Sequence, residues 1–297
     1  MHRCLYGSRS SGRSWQQYLM RFLIDELGAT VLSTDRNCFN WEWRGEKLQG
    51  AIHVDDILFS VSNSLIRDEF MRRLKERFRV TGGEEEVTDF CGLQIRRDYA
   101  ARTVTLHQER YARQMMASYD MEKEKAVETP FMVGATPLQP YEGAPLDEME
   151  TFDYSQFLGD LAWYSRTNPG LAWSVHELAR FMANPGPKHI AAARRVLCYI
   201  KGHLTAGLTY HGSDLVLHQS YDHRDKLVSA FDANFPHDGA KATSGVAILF
   251  NGAAISWKVR RQTTVSLNTT EAEVKAISMG VEMVRSLHQL VSESSLV

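Results

Sequence analysis

The seven residues His53-Val54-Asp55-Asp56-Ile57-Leu58-Phe59 constrain this chain most. Two adjacent carboxylates sit between two apolar runs, Ala51-Ile52-His53-Val54 and Ile57-Leu58-Phe59-Ser60-Val61. Such runs read as strands, and the acidic pair between them is placed like a tight hairpin turn. Two carboxylates held this close repel each other unless a cation lies between them. Hard divalent cations take oxygen ligands and often share one or two carboxylates with substrate phosphates. An apolar hairpin tipped by Asp55 and Asp56 is therefore a candidate metal platform for phosphoryl chemistry. Taken alone, the pair also reads as an ordinary turn, because aspartate caps its own backbone.

The chain around that hairpin is of a globular kind. Its 297 residues are 43% hydrophobic and 24% charged, enough for about two domains. No apolar stretch is long enough to span a bilayer, and Met1 to Gly7 lacks the hydrophobic core of a signal peptide, so an intracellular location is expected. Cys4, Cys38, Cys91 and Cys198 are scattered without paired ligand spacing, which fits reduced thiols rather than disulfides or zinc. The net charge of −2, from 34 basic and 36 acidic residues, does not mark a chain dominated by phosphate contacts. Two helical stretches are locally basic, however. One is 67–79, with Arg72 and Arg73. The other is 187–204, with Lys188, Arg194, Arg195 and Lys201 and no acid. Each reads either as a solvated helix face or as a contact for nucleic-acid phosphates.

Periodicity orders the rest. A helix is expected over 13–27, stopped by Gly28, and a strand from Cys38 to Trp43 before the hairpin. A helix follows at 64–78, then a hairpin from Phe90 to Leu106 and a helix at 108–119. Residues 128–150 hold Pro130, Pro137, Pro140 and Pro145 and read as a linker. Helices are expected at 154–166, 171–183 and from Pro187 to about Gly202. After a polar boundary at 212–225 come strands Leu227–Asp232, Ser244–Phe250 and Ala253–Trp257, and a last helix from about Thr270 to Val291.

At several places in this order the chain resembles the reverse transcriptase and ribonuclease H region of copia-type retrotransposon polyproteins. Leu5-Tyr6-Gly7, with Arg13 and Trp15, resembles the family's Leu-Tyr-Gly-Leu-Lys-Gln-x-Pro-Arg-x-Trp block. Val54-Asp55-Asp56-Ile57-Leu58 resembles its Tyr-Val-Asp-Asp catalytic hairpin. Phe90-Cys91-Gly92-Leu93-Gln94-Ile95 is similar to its Phe-Leu-Gly-Ile-x-Ile strand, near the primer terminus. Tyr154 to Asn168 and Pro187 to Gly202 resemble its helices between palm and nuclease. Thr243-Ser244-Gly245, Ile255-Ser256-Trp257-Lys258 and Thr269-Thr270-Glu271-Ala272-Glu273 resemble its ribonuclease H block.

The resemblance implies an α+β architecture. A partial right-hand palm with a primer-grip-like hairpin would occupy 1–127, and a linker with thumb or connection helices 128–211. An incomplete ribonuclease H-like mixed sheet with one helix would occupy 226–297. It implies RNA-directed DNA synthesis and cleavage of RNA in a hybrid, both with Mg2+ or Mn2+. The implied partners are an RNA template, a DNA primer and the RNA–DNA hybrid. Asp55 and Asp56 would be two of the three polymerase carboxylates, and Asp232 and Glu273 two of the nuclease ligands, with Glu271 as a fallback. The family's third polymerase aspartate precedes the Leu-Tyr-Gly block, and its next nuclease aspartate follows the last helix. The isolated chain is therefore expected to be impaired in both reactions. His53 stands where the family has tyrosine, Ser10 where it has glutamine, Gly12 where it has proline and Asn234 where it commonly has aspartate. A non-catalytic nucleic-acid-binding remnant is the alternative.

Overall fold

The computed structural model describes residues 11–83, 86–132, 137–144, 152–212, 226–236 and 240–294. The Leu-Tyr-Gly block at 5–7, Ser10 and most of the 212–225 boundary lie outside them. The protein mixes helices and sheets in an α+β manner and divides into two compact units. One holds 1–91 with 285–297, and the other 92–284.

In the first unit α1 (Ser11–Arg21) runs into a π-helical turn at Phe22–Glu26 and stops at Gly28, whose φ is +74°. A meander follows, of β1 (Thr30–Val31), β2 (Cys38–Trp43), β3 (Glu46–His53) and β4 (Asp56–Val61), antiparallel and in sequence order. Alternation decides which face is buried: Phe39 and Trp41 on β2 and Leu48, Gly50 and Ile52 on β3 turn inward. Gly50 is required there, since a methyl at that position would overlap the Phe39 ring. Next, α2 (Ser64–Arg77) is capped by Asn63, whose Oδ1 accepts from the Leu65 and Ile66 amides at 2.9 and 3.2 Å. It buries Ile66, Phe70, Met71 and Leu74 against the sheet. Truncating Phe70 to alanine in such a core costs about 3–5 kcal/mol. The short β5 (Asp89–Phe90) completes this part of the unit.

The second unit opens with β6 (Leu93–Asp98) and β7 (Thr103–His107), an antiparallel hairpin, and α3 (Glu109–Ser118). The helices α4 (Tyr154–Tyr164), α5 (Ala172–Ala179) and α6 (Pro187–Gly202) share one core with α3, built on Met115, Phe157, Leu161, Leu178, Val196 and Leu197. That common core is why α3 groups with the later helices. β8 (Gly207–His211) returns to pair with β7, an element the sequence reading left out. A second sheet holds β9 (Val228–Asn234), β10 (Thr243–Phe250) and β11 (Ala253–Arg261), antiparallel in the order β11-β10-β9. The last helix, α7, runs over Thr269–Glu293. From Arg285 onward it counts with the first unit, where Glu293 accepts from the Ser33 and Thr34 amides at 2.7 and 3.0 Å. Among the described residues no helix is long and apolar enough to cross a membrane.

Candidate polymerase and nuclease sites

The hairpin joining β3 and β4 turns on Val54 and Asp55, because His53 pairs with Asp56 across it. The acidic pair thus straddles the turn and the first residue of β4. His53, Val54, Asp55 and Asp56 are all exposed. Val54 has φ +57°, a left-handed conformation that a β-branched residue adopts only at a cost. A two-residue loop whose first central residue has positive φ is where glycine would ordinarily stand. A second element holds the turn in place: the Trp15 indole N–H donates to the Val54 carbonyl at 2.9 Å. Trp15 is itself fixed edge-on against Phe78, with ring centroids 5.5 Å apart. The Cys91 thiol also lies within electrostatic reach of this tip. Burial pushes its pKa up, and the Asp56 carboxylate adds to the shift.

In the second unit Asp232 lies on β9, opposite Gly245 of β10, and is exposed. Glu273, in the second turn of α7, is half-buried, and its Oε1 accepts from the amide of Ala233 at 3.3 Å. The sequence-selected pair is thereby brought to one place, on neighbouring stretches of strand and helix. Glu271 is committed elsewhere. It accepts from the Leu267 amide at 2.8 Å and pairs with Lys275 at 2.7 Å, and the Leu267 N–H chiefly holds its pKa below the usual range. Gln262, which sequence reasoning missed, sets the helix against the sheet. Its buried Nε2 donates to Ser244 Oγ and to the Ala272 carbonyl, both at 2.9 Å, and its Oε1 accepts from Ser266 at 2.7 Å. A lone glutamine after a strand carries no pattern that would have singled it out.

The six candidate phosphate contacts are not alike. Arg72 is held by Glu69 at 2.8 Å and Glu76 at 2.5 Å, and Arg73 by the same Glu69 at 2.8 Å. These pairs run along one turn of α2, so both cations are engaged within their own helix. Lys201 donates to the backbone carbonyls of Met121, Glu122 and Glu124, tying down the end of α3 and the residues after it. Arg194 lies over the Phe152 ring, 5.6 Å from its centroid. Lys188 is exposed near the start of α6. Arg195 donates from Nη2 to Thr129 at 3.1 Å, while its buried Nε has no partner among the described residues.

The donors at both acidic places are carboxylate oxygens, the chemistry a hard divalent cation takes. Among the described residues no group of three or more His, Cys, Asp or Glu side chains is placed to hold a metal ion.

Residues 1–133 match the family model described as reverse transcriptase (RNA-dependent DNA polymerase). The chain is 26% identical over 279 residues to the retrovirus-related Pol polyprotein from transposon RE1 of Arabidopsis thaliana, covering 94% of this chain and 18% of that protein. It is 27% identical over 292 residues to the corresponding polyprotein from transposon TNT 1-94 of Nicotiana tabacum, covering 96% of this chain and 21% of that one. The transposon Ty5-1 protein of Saccharomyces cerevisiae is 26% identical over 272 residues, covering 91% of this chain and 84% of its own length. The chain thus spans about a fifth of the length of the plant polyproteins it matches.

Proposed function

Because the chain belongs to the reverse transcriptase family of copia-type retrotransposon Pol polyproteins, we propose that it carries part of an RNA-directed DNA polymerase centre at Asp55 and Asp56 and part of a ribonuclease H centre at Asp232 and Glu273. The observation that carries this reading is the exposed Asp55-Asp56 tip on a left-handed Val54, pinned by the Trp15 indole. A turn whose backbone is fixed from outside keeps two like charges in one geometry, and that preorganisation favours a cation over solvent.

Mg2+ or Mn2+, when bound, would activate the primer hydroxyl and neutralise the leaving pyrophosphate. Asp55 and Asp56 would supply its protein ligands at the primer terminus, and Cys91 would flank the same tip. Asp232 and Glu273 would hold the cation at the hybrid's RNA strand, with Glu273 oriented through the Ala233 amide. RNA template, DNA primer and RNA–DNA hybrid are the partners this reading assigns. With two acids at each place among the described residues, this reading expects both reactions to be impaired.

Mn2+ binding by electron paramagnetic resonance, read beside primer extension on an RNA template, tests the assignment. Replacing Asp55 and Asp56 together by asparagine should weaken Mn2+ binding at least tenfold and abolish whatever trace extension the parent shows. Extension that survives the double substitution, or Mn2+ binding that ignores it, refutes the polymerase assignment. Parental extension at the rate of a complete enzyme refutes the impairment.

Exposed Lys188 and the buried Arg195 Nε, which has no partner among the described residues, favour a second reading, a non-catalytic nucleic-acid binder acting through these two side chains. It requires hybrid binding that weakens steeply with salt, without turnover.

A further inference from the structure

We infer that a cavity in the second unit, well separated in sequence from the Asp55-Asp56 hairpin, binds a nucleotide unit of a single nucleic-acid strand. The cavity has a volume of about 780 Å³, ample for a base with its sugar and phosphate. Its walls come from α5, α6, the proline-rich segment between α3 and α4, and the open end of the β9-β10-β11 sheet.

Part of its lining is aromatic. Phe131 and Trp173 meet edge-on with centroids 4.8 Å apart, and Trp173 is left 40% exposed. A partly exposed indole held by a second ring is a stacking platform, and base stacking on such a platform is sequence-tolerant. Cationic groups share the lining. Arg195, Lys241 and Arg261 line the cavity, and Lys241 and Arg261 form no ion pair among the described residues. The buried Nε of Arg195 is likewise unpartnered there. Glu177, the one acid among the described residues of the lining, is already neutralised by Arg180, whose Nη1 donates to both carboxylate oxygens at 2.6 and 2.8 Å. Two aromatic rings and three basic side chains lining one cavity match a base joined to a phosphodiester.

The sheet register gives the strand a direction. Asn234, Thr243 and Arg261 form one rung across β9, β10 and β11, and all three line the cavity. Asp232 lies two residues before Asn234, on the same face of β9 and about 7 Å along it. A strand seated in the cavity is therefore carried toward Asp232 and Glu273. This directional part rests on the nuclease assignment proposed above, whereas the binding itself does not.

Fluorescence polarisation with a labelled single-stranded oligonucleotide, on the full chain, tests the proposal. Trp173→Ala should weaken binding roughly tenfold and Trp173→Phe should largely restore it. The pair Lys241→Ala and Arg261→Ala should flatten the dependence of log affinity on log salt by about two phosphate contacts. Photocrosslinking from a 5-iodouridine oligonucleotide should reach Trp173 or Phe131. Parental affinity and salt dependence in all these variants, in protein whose circular dichroism is unchanged, overturns the site. Displacement by millimolar adenosine monophosphate with no oligonucleotide binding shows a free-nucleotide pocket and also overturns it. If the parent binds the strand but Asp232→Asn leaves Mn2+ binding unchanged, the nuclease assignment fails while the cavity stands.

Discussion

The indole N–H of Trp15 donates to the carbonyl of Val54 at 2.9 Å, across 39 residues of sequence, and so ties the first helix to the tip that carries Asp55 and Asp56. Trp15→Phe keeps the aromatic packing on Phe78 and removes only the donor. The expected loss of stability is about 1 kcal/mol, the worth of one partly exposed hydrogen bond. The local effect is more telling. Amide exchange at Val54, Asp55 and Asp56 should accelerate in the variant while the α2 amides are unaffected. Unchanged exchange at the tip would mean that the turn holds itself and that Trp15 is merely adjacent.

Val54 itself offers the complementary test. Its φ of +57° costs a β-branched residue on the order of 1–3 kcal/mol, whereas asparagine tolerates that region well. Val54 is 61% exposed, so little packing is lost on substitution. Val54→Asn should therefore raise stability by about 1 kcal/mol in urea denaturation. A lower midpoint would show that the valine side chain contributes contacts that outweigh the strained backbone.

What the sequence made legible follows from which forces are local. The alternation through Phe39, Trp41, Leu48 and Ile52, the cap at Asn63 and the proline that opens α6 are short-range signals, and their elements were anticipated within a few residues. The hairpin acids were anticipated too, but the turn falls one residue earlier than the Asp-Asp pair suggests, because pairing of His53 with Asp56 decides the register. β8 escaped notice because it is five residues long and is held by distant partners, through its pairing with β7 and the packing of Leu208 on Ala253 and Ala254. The partners of Arg72, Arg73 and Lys201 were also out of reach. Charge counts reveal a basic stretch but not which acid or carbonyl already holds each cation.

Asp160 shows the same limit in the helical core, and it yields a stability prediction. Tyr111 donates to its Oδ1 at 2.8 Å and Tyr119 to its Oδ2 at 2.6 Å, joining α3 and its end to α4. Burial, reinforced by the hydrogen bonds to Asp160, pushes both phenols well above their usual pKa. Asp160→Ala leaves two hydroxyls without their acceptor and should cost about 2–4 kcal/mol, since each orphaned donor costs about 1–3. Replacing Tyr111 and Tyr119 by phenylalanine in the same background should recover part of that loss in thermal denaturation. No recovery would show that Asp160 acts through something other than the two phenols.

The Glu293 clasp gives a pH-dependent outcome. The Ser33 hydroxyl, with the Thr34 amide and further donors, holds its carboxyl down at about 2, against an ordinary value of 4.5. A carboxyl depressed in the folded state contributes stability that is fully present above its unfolded pKa and is lost as pH falls through the folded one. The end of α7 should therefore remain docked at pH 5 and release between about 4.5 and 2. The Ser33 and Thr34 amide resonances report this directly, because both N–H groups donate to Glu293 Oε2. Their shifts should titrate with a midpoint near 2 in the parent and should lose that titration in Glu293→Gln. A midpoint near 4.5 would mean that the hydrogen bonds form without favouring the ionised carboxylate, and the last turns of α7 would then have to be held by the Asn40 and Gln49 side chains that donate to the Glu293 and Ser294 carbonyls.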